Sequence, residues 1–490
     1  MLRRLVCFIL LFAGCSVASA KQPNILFAIA DDWGWPHAGA YGDPVVKTPT
    51  FDRLSKEGVL FEHAFISSPS CTPSRGAILT GQWHWRLEGA GNLWSIFPDK
   101  FTTYEDIIRK SGYATGHSGK AWGPGKPETA TRELAGKRYK NFQEFVKTRE
   151  EGQPFCYWLG SSDPHRPYKL GSGKEAGMDV SKVPLPACYP DSDEIRSDIA
   201  DYYFEVQRFD SLVGDALKTL EEMGELDNTL ILMTGDHGMP FPRCKSNLYD
   251  IGSRVPLAAR WGDKIKPGRV VTDFVSTTDF GPTFLDAVGL PIPEEMTGRS
   301  LMTLFQSDQS GRVQKDWNSI LVGKERHVPS QESPEMGGYP SRGLRTDDYF
   351  LIVNFKPQRW PNGTPLYEQA AVPGTWYGDT DNGPTKSYIV ANKDKDSEHR
   401  RAYELCFGKR PEIELYDLSN DPQQVQNVAN QPKYQGIRKR LIADLMQRLK
   451  STGDPRVIDS DIDFDSYPYL GGGPKHPSLG GNKNKSQKKK

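Results

Sequence analysis

The sequence predicts an α/β protein with a large, mixed and mostly parallel sheet flanked by helices, and a smaller C-terminal α+β domain that carries an antiparallel sheet. Compact apolar runs alternate with segments of helical periodicity through the first part of the chain, a pattern typical of α/β sheets. Acid-rich polar residues directly follow two of these runs, at the ends of strands where such sheets bind ligands. Beyond about Gly338 the pattern changes to shorter, alternating segments.

Apolar periodicity predicts the elements of the larger domain. The strands are Asn24 to Ala30, a strand that begins within Gly112 to Gly116, Phe155 to Gly160, and Leu230 to Thr234. The helices are Thr50 to Gly58, Tyr104 to Lys110, and Ile199 to Met223. Thr50 is the expected N-cap of the first helix, and Gly58 is the residue expected to end it.

The C-terminal part is predicted to hold short strands and a final helix. Gly343 to Phe355 alternates as a strand does, Glu412 to Leu418 is a second strand, and Gln435 to Lys450 is an amphipathic helix. From about Ser460 we expect a disordered tail, because it is rich in glycine and ends in lysines. The expected organisation is a larger α/β domain at 21–338, a C-terminal α+β domain at 339–459 and a low-complexity basic tail at 460–490.

The overall composition is that of a globular protein. The 490 residues are 37% hydrophobic and 25% charged, and the formal net charge is +0. Because the charge is balanced, the chain has no general attraction for polyanions, and we expect no nucleic-acid partner.

The N-terminus predicts export. Arg3-Arg4 precedes an apolar run from Leu5 to Ala13, and Ala18-Ser19-Ala20 offers a cleavage site. This is the layout of a signal peptide over residues 1–20, and the apolar run is too short for a transmembrane segment. We therefore expect a periplasmic or secreted protein. The alternative is cleavage before Cys15, in Phe12 to Cys15, which would leave a lipid-anchored protein.

Removal of the signal peptide leaves an odd number of cysteines. They are Cys71, Cys156, Cys188, Cys244 and Cys406. An odd number in an exported protein requires an explanation for the unpaired one. The cysteines are too few for a disulfide scaffold and lack zinc-site spacing. Cys156–Cys188 is one possible bridge, although sequence alone does not fix the connectivity.

The most informative segment is Cys71-Thr72-Pro73-Ser74-Arg75, which leads into Leu79-Thr80-Gly81. It predicts a helix start, because Pro73 fits a first helical turn. A side chain there lies near free backbone N–H groups and the positive end of the helix dipole, which favours a developing negative charge. Arg75 could stabilise the same charge. The alternative is that Cys71 is a small apolar residue at the start of a buried helix.

This segment resembles the modification motif of the type I sulfatases, which belong to the alkaline phosphatase superfamily. Segments that resemble further sulfatase blocks are Thr48 to Leu54, Asp227 to Thr229, Thr234 to Gly238, Leu248 to Pro256, Asp279 to Gly289, and Glu414 to Pro422. The resemblance covers about residues 22–450. It implies an alkaline phosphatase-like fold and hydrolysis of sulfate esters or N-sulfates. It also implies that a formylglycine-generating or sulfatase-maturing enzyme converts Cys71 to Cα-formylglycine.

Two acidic loops offer metal ligands. Asp31-Asp32 and Asp236-His237 each follow a predicted buried strand, and three carboxylates would suit calcium or magnesium. The alternative is that these residues are ordinary loop caps, because Asp favours turns. The resemblance implies that Asp31, Asp32, Asp236 and His237 bind one Ca²⁺ beside the modified Cys71, although many relatives have Asn in place of His237.

The resemblance also implies which cations hold the sulfate oxygens: Lys120, His165 and Lys245, with Arg75 steadying the nucleophile. Such groups offset the repulsion between an anionic substrate and an attacking oxyanion. The sequence departs from the Lys-x-His pattern of many sulfatases, since Trp122 stands where His is expected and cannot act as a base. We predict that His117 replaces that base; the alternative is a packed strand histidine.

A charged run near the middle of the chain is predicted to bind the substrate. With His117, the candidate substrate-binding residues are Lys324, Glu325, Arg326, His327 and Arg342. Lys and Arg bind carboxylate and sulfate groups. The run resembles the heparan N-sulfatase (N-sulfoglucosamine sulfohydrolase) branch, although another sulfated polysaccharide would need similar residues. The expected substrate is a sulfated saccharide, and the alternative for this run is a charged strand end.

Two other functions are compatible with the sequence. One is a phosphodiesterase or phosphonate hydrolase of the same superfamily, whose members more often use two transition metals and more histidine ligands. The other is a non-catalytic binder of sulfated glycans, which is suggested by Trp122 at the position of the missing histidine.

Overall fold

The computed structural model describes residues 21–459 and 461–479. The predicted signal peptide, Cys15 and the basic end of the predicted tail lie outside these ranges. Within them, no helix combines the length and the hydropathy needed to span a membrane.

Strands and helices alternate through most of the chain. The strands are β1 Asn24–Ala30, β2 Val59–Phe61, β3 Ala64–Phe65, β4 Ser95–Phe97, β5 Ala114–Ser118, β6 Gly125–Pro127, β7 Lys137–Arg138, β8 Phe155–Gly160, β9 Thr229–Gly235, β10 Leu257–Arg260, β11 Arg269–Val271, β12 Val275–Ser276, β13 Ser319–Lys324, β14 Ser341–Thr346, β15 Tyr349–Asn354 and β16 Ile413–Asp417. The helices are α1 Pro49–Glu57, α2 Cys71–Thr80, α3 Tyr104–Lys110, α4 Phe142–Thr148, α5 Ser172–Glu175, α6 Asp193–Glu222, α7 Asp250–Ser253, α8 Phe280–Ala287, α9 Met302–Phe305, α10 Pro384–Ala391, α11 Ser397–Phe407, α12 Gln435–Ser451 and α13 Pro455–Ile458.

The main sheet has eight strands in the order β11-β2-β10-β9-β1-β8-β5-β7. β10 pairs antiparallel with β2 and β9, while the other neighbouring pairs are parallel. The sheet is therefore mixed and mostly parallel, which confirms the predicted fold class. Its four neighbouring strands β9, β1, β8 and β5 run in the same direction, so their carboxyl ends meet at one edge.

The central strand β1 is buried on both faces, which explains its uninterrupted apolar sequence. Leu26 and Ala28 belong to the hydrophobic cluster that includes α1 and α6 residues. Ile25 and Phe27 belong to the cluster on the opposite face, which includes α3 and α8 residues. Helices therefore cover both faces of the sheet and leave its carboxyl edge for the loops.

A second sheet contains β13 to β16 in sequence order, and all its strand pairs are antiparallel. α12 packs on it through Leu441, Leu445 and Leu449, which share a cluster with β14 and β15 residues. This confirms the predicted C-terminal antiparallel sheet. The sheet begins before the expected boundary at residue 338, because Ser319–Lys324 is its edge strand.

Two helices begin elsewhere than the apolar pattern predicts. Thr48, not Thr50, precedes α1, because Pro49 occupies the first helical position that its ring favours. α6 begins at Asp193 rather than Ile199, and the Ser192 side chain accepts a hydrogen bond from the Ile195 N–H at its start. The first turn of α6 is polar, so apolar periodicity does not reveal it.

The expectation of a disordered tail from about Ser460 is wrong for residues 461–479. Phe464 is buried in the cluster of the second sheet. The Asn92 side chain donates a hydrogen bond to its carbonyl oxygen at 2.8 Å. The glycines and prolines of this segment allow an extended chain to lie against the body of the protein.

Candidate active site

The predicted functional residues follow the four parallel strands at the carboxyl edge of the main sheet. Asp31 and Asp32 follow β1, and Asp236 and His237 follow β9. The final residues of these strands, Ala30 and Gly235, are paired across the ladder, so the two acidic loops begin side by side. Lys120 follows β5 and His165 follows β8 on the other side of β1.

Cys71 is the first residue of α2 and is buried at this edge. Its Sγ lies 3.2 Å from His237 Nε2. One ligand atom each from Asp31, Cys71, Asp236 and His237 lie within 4.8 Å of one another. The Ser74 hydroxyl donates to the Asp236 carbonyl oxygen at 2.6 Å, which fixes α2 against the loop after β9.

The orientation of His237 fits a cation at this cluster. Its Nδ1 lies 2.9 Å from the Gly238 carbonyl oxygen, which can only accept, so Nδ1 carries the proton. In the neutral ring, Nε2 then presents a lone pair to Asp32 Oδ1, 3.1 Å away. That oxygen is buried and has no hydrogen-bond partner among the described residues. Two facing acceptors of this kind suit a shared divalent cation.

Lys120 and Lys245 bring positive charge to the two acidic loops. Lys120 Nζ donates to both oxygens of Asp31, at 2.6 and 2.7 Å. Burial opposes ionisation of Asp31, but Lys120 and its cationic neighbours outweigh burial and hold its pKa well below the usual range. Lys245 Nζ donates to Asp32 Oδ2 at 3.0 Å. Lys120 keeps 20% of its side chain exposed, so it can also reach an anionic substrate.

Arg75 is fully buried and joins three parts of the site. Its Nε donates to Asp236 Oδ2 at 2.7 Å. Its Nη1 donates to the carbonyl oxygens of Lys120 and Ala121, both at 2.8 Å. Arg75 therefore positions α2, the acidic loop and the Lys120 loop relative to one another, which agrees with a steadying role.

Sequence reasoning missed Asp379 and Asp381, which lie on one loop in the C-terminal part of the chain. Asp381 Oδ2 accepts from Lys245 Nζ at 2.9 Å. Asp379 accepts from Lys324 Nζ at 2.6 Å and from the Val328 N–H at 2.8 Å. In the sequence, Asp379-Thr380-Asp381 reads as an ordinary polar loop before a helix, here α10. Only the fold brings Asp381 to Lys245.

The two candidate histidines occupy different places. His165 Nδ1 lies 2.6 Å from the Arg166 carbonyl oxygen, so Nε2 is the free nitrogen of the neutral ring. Nε2 lies 3.9 Å from Asp32 Oδ2, and the side chain is 33% exposed. His117 lies within β5, and its Nδ1 is 2.9 Å from the Gly136 carbonyl oxygen. Among the described residues no hydrogen bond or ion pair joins His117 to the cluster, so its placement does not support the predicted base.

Trp122 packs between α2 and β4. Its ring lies edge-on to Phe97, with 5.3 Å between the centroids. A Cβ added at Gly76 of α2 would lie 3.4 Å from Trp122 Nε1. Trp122 thus supports the helix that carries Cys71 and offers no base, whereas His165 has a free nitrogen near Asp32.

The predicted substrate-binding run divides into two groups. His327 Nδ1 lies 2.8 Å from the hydroxyl of Ser70, the residue before Cys71, and burial lowers the pKa of His327 to about 3. Lys324 lies close by, paired with Asp379. Both residues border the cluster.

The other three residues of the run form their hydrogen bonds and ion pairs away from the group of Asp31, Cys71, Asp236 and His237. Arg342 is fully buried and forms ion pairs with Glu325 and Asp454, each at 2.6 Å. Arg326 is buried, and its guanidinium donates to main-chain carbonyls of residues 465–468. Their hydrogen bonds are used within the fold, so the prediction that Glu325, Arg326 and Arg342 bind substrate is not supported by their placement.

The five described cysteines are buried and unpaired. Cys156 Sγ in β8 lies 3.7 Å from a carboxylate oxygen of Glu105 in α3. Cys188 instead neighbours Cys406, whose Sγ lies 3.9 Å from its carbonyl oxygen. The possible Cys156–Cys188 bridge is therefore wrong, because the two residues have different neighbours.

Comparison with known proteins gives matches over most of the chain. The Sulfatase family model matches residues 23–128 and 130–290, and the model described as N-sulphoglucosamine sulphohydrolase, C-terminal, matches residues 235–369. An ulvan-active sulfatase of Formosa agariphila is 28% identical over 460 residues, which cover 90% of this chain and 82% of the relative. The N-sulphoglucosamine sulphohydrolase of Homo sapiens is 28% identical over 508 residues, which cover 93% and 95%.

Solved structures agree with the fold. A protein in complex with its substrate D-glucosamine-2-N,6-O-disulfate has a TM-score of 0.64 at 20% identity and covers 90% of this chain and 100% of its own. A phosphonate monoester hydrolase from Silicibacter pomeroyi has a TM-score of 0.64 at 18% identity, with 89% and 97% coverage. The same fold thus occurs in a protein with a sulfated sugar as substrate and in a phosphonate monoester hydrolase, so the fold alone does not identify the family. The Sulfatase family model, in contrast, matches more than half of the sequence. This chain belongs to the sulfatase family.

Proposed function

We propose that this protein hydrolyses sulfate ester or N-sulfate groups of sulfated saccharides, using formylglycine at position 71 and one divalent cation. The observation that carries the proposal is the convergence of Cys71 with Asp31, Asp236 and His237 within 4.8 Å, at the start of α2. A side chain in that position faces a cation site and the free N–H groups of a helix start. Both features favour an oxygen nucleophile that attacks an anionic centre.

Asp31, Asp32, Asp236, His237 and the modified side chain at position 71 would hold the cation. Three carboxylates make a mainly hard-oxygen ligand set, so we propose Ca²⁺. When present, the cation neutralises sulfate charge, while the hydrated aldehyde offers one hydroxyl to attack sulfur and another to release sulfate afterwards. Conversion of Cys71 would require a separate maturing enzyme.

The chain's own cations then bind and orient the sulfate group. Lys120 lies beside Asp31, and Lys245 lies between Asp32 and Asp381, so both ammonium groups can donate to sulfate oxygens. Arg75 is buried and holds α2 against the acidic loop. Its role is to position residue 71 rather than to contact the sugar.

His165 is the proposed proton donor to the leaving oxygen or nitrogen of the sugar. Its Nδ1 is committed to the Arg166 carbonyl oxygen, so a proton is exchanged at Nε2. The side chain is partly exposed, and Nε2 lies 3.9 Å from Asp32 Oδ2, so this nitrogen can be reached by a substrate at the site. After the sugar leaves, the same nitrogen is free to accept a proton when sulfate is released, which is the role that the missing histidine at Trp122 would otherwise fill.

Phosphonate monoester hydrolysis is a second candidate, because a solved phosphonate monoester hydrolase has the same fold and His237 adds a nitrogen ligand. A two-metal mechanism would need a second site, and Asp32, His165 and Asp381 form a second group within 4.8 Å. Lys245 donates to both carboxylates of that group, at 3.0 and 2.9 Å. Its positive charge disfavours a second cation there, and we therefore favour the one-metal sulfatase.

The N-sulfate branch is supported by the match to the N-sulphoglucosamine sulphohydrolase C-terminal model over residues 235–369. An ulvan-active sulfatase is equally similar in sequence, so the substrate panel must contain both sugars. We propose an N-sulfated or O-sulfated sugar as the general substrate class. The third possibility, a glycan binder without turnover, would leave His165 without a role.

The test combines mass spectrometry with sulfate release. The protein is coexpressed with a maturing enzyme, and the peptide across residue 71 is examined for formylglycine. Sulfate release is then measured from N-sulfoglucosamine, glucosamine 6-O-sulfate and ulvan oligosaccharides, with a phosphonate monoester and the Cys71→Ala protein as controls. We expect the aldehyde at residue 71 and sulfate release that Cys71→Ala abolishes. A fully active enzyme with an unmodified thiol, or a higher kcat/KM for the phosphonate monoester, would overturn the proposal.

A further inference from the structure

The segment from Phe464 to His476, here named the C-terminal strap, is fixed to the body before its midpoint. The Arg326 guanidinium donates to three strap carbonyls, those of Asp465 at 2.8 Å, Tyr467 at 2.7 Å and Pro468 at 3.2 Å. The buried Arg326 is thereby used to hold the strap. This explains why a residue predicted to bind substrate is not available to do so.

The strap is also fixed after its midpoint, next to the loop that carries Asp379 and Asp381. The Trp376 N–H donates to the Pro474 carbonyl oxygen at 2.9 Å. The side chain of Asn382, which follows Asp381, donates to the Lys475 carbonyl oxygen at 2.8 Å. The strap therefore lies between Arg326 and the loop that supplies the partners of Lys245 and Lys324.

Tyr469 lies between these two anchors and close to the nucleophile. Tyr469 and Trp94 pack against the small apolar cluster that Cys71 forms with Leu93 and Val328. Both rings remain partly exposed. Burial, with a contribution from the Asp379 carboxylate, raises the pKa of the Tyr469 hydroxyl, so the ring is a neutral phenol.

Trp94 is held in an unusual conformation by the strap. Its φ is +52°, a left-handed value that bulky residues rarely adopt. Its carbonyl oxygen accepts from the Leu470 N–H at 2.8 Å. A Cβ added at Gly471 would lie only 2.3 Å from Trp94 Cγ, so the strap backbone lies directly on the indole. Such a conformation persists only where the surrounding structure holds the residue in place.

We propose that Trp94 and Tyr469 form an aromatic subsite that packs against the ring of the sulfated sugar. This inference rests on the proposed function, because it takes the sulfate to lie beside Lys120 and Lys245. A sugar ring attached to that sulfate extends from residue 71 toward the neighbouring apolar cluster. Aromatic rings with a partly exposed apolar surface suit the C–H face of a pyranose, while the partly exposed Asp381 supplies a nearby acceptor for a hydroxyl group.

The test measures sugar binding separately from sulfate binding. Isothermal titration calorimetry is carried out on the Cys71→Ala protein with D-glucosamine-2-N,6-O-disulfate and, separately, with inorganic sulfate. Inorganic sulfate occupies the cation pocket alone, so it reports on the integrity of that pocket. Tyr469→Ala is compared with Tyr469→Phe, which keeps the ring and removes the hydroxyl.

We expect Tyr469→Ala to weaken binding of the disulfated sugar roughly tenfold, the size of one lost aromatic contact, with sulfate affinity unchanged. Tyr469→Phe should bind the sugar as the parent does. Equal losses for sugar and sulfate, equal effects of Ala and Phe, or a parent protein that binds the sugar no more tightly than sulfate would each overturn the subsite. Failure of the proposed function would instead appear as absence of sulfate release by the unmutated enzyme, whatever the calorimetry gives.

Discussion

His237 Nε2 lies 3.1 Å from Asp32 Oδ1, while Nδ1 of the same ring lies 2.9 Å from the Gly238 carbonyl oxygen. The carbonyl contact assigns the proton to Nδ1 and directs the Nε2 lone pair at a carboxylate that has no hydrogen-bond partner in the described part of the chain. This relationship links the two acidic loops and is the reason for the first prediction.

Calcium is expected to stabilise the folded protein through this pair. Removal of metal with EDTA should lower Tm and abolish activity, and added Ca²⁺ should restore both. At a free concentration a hundredfold above Kd, bound ligand adds about 2.7 kcal/mol to the free energy of unfolding. Differential scanning calorimetry with and without Ca²⁺ measures the effect.

His237→Ala should lose most of the calcium-dependent rise in Tm. The matched control is His117→Ala, which removes the same side chain from β5, away from the cluster, and should keep the full rise. If Ca²⁺ raises the Tm of the His237→Ala protein as much as that of the parent, His237 is not a ligand.

His165 is expected to exchange the proton with the sugar. His165→Ala should lower kcat by about 100- to 10,000-fold, the usual contribution of a general acid or base. The sequence alone predicts this effect for His117→Ala, whereas the placement of His117 in β5 leads us to expect almost unchanged turnover of that variant. Steady-state kinetics of the two variants on the same sulfated saccharide decide between the histidines. Comparable losses of kcat in both would contradict the assignment.

Glu105 should make the stability of the protein fall as pH rises. It is buried in α3 beside Cys156 and forms no ion pair among the described residues, and burial raises its pKa to about 8. In the unfolded chain the carboxyl loses its proton near pH 4.3, as free Glu does, so from there to about pH 8 only the folded state retains the proton. The free energy of unfolding therefore decreases with pH in that window, by about 1.4 kcal/mol per pH unit from this group.

Glu105→Gln removes this titration and should flatten the dependence of stability on pH. The free energy of unfolding of the Glu105→Gln protein should exceed that of the parent only slightly near pH 5 and by more toward pH 8. Urea unfolding at each pH measures this difference. Glu222→Gln, on the exposed end of α6, is the control and should follow the parent. A constant difference between the Glu105→Gln protein and the parent at all pH values would refute the buried, protonated carboxyl.

Two neighbouring glycines test the strap. A Cβ at Gly471 would lie 2.3 to 2.5 Å from three Trp94 ring atoms, whereas a Cβ at Gly472 would meet nothing within 4 Å. Gly471→Ala should therefore displace the strap, lowering the free energy of unfolding by about 1–3 kcal/mol, as overpacking does, and reducing kcat/KM for a sulfated sugar. Gly472→Ala should leave both unchanged. Identical behaviour of the two variants would show that the strap does not lie on Trp94.

The sequence by itself determined the fold class, the family and the residues that follow each strand. Apolar runs such as Asn24 to Ala30 are long and buried on both faces, so their period and length are readable without the structure. Asp31 and Asp236 directly follow such runs, whereas Lys120 and His165 are recognisable from segments that resemble sulfatase blocks. The same reasoning failed for Thr48 and for the start of α6, where polar residues begin the helix.

Only the tertiary structure decided which of these residues meet and which are used elsewhere. Asp381 reaches Lys245 across 136 positions of sequence, and Tyr469 reaches the Cys71 cluster from near the C-terminus. Glu325 and Arg342 form a buried ion pair instead of facing the pocket. Such pairings depend on the packing of the two sheets and the strap, and no local pattern records them, because periodicity and capping report only on neighbours along the chain.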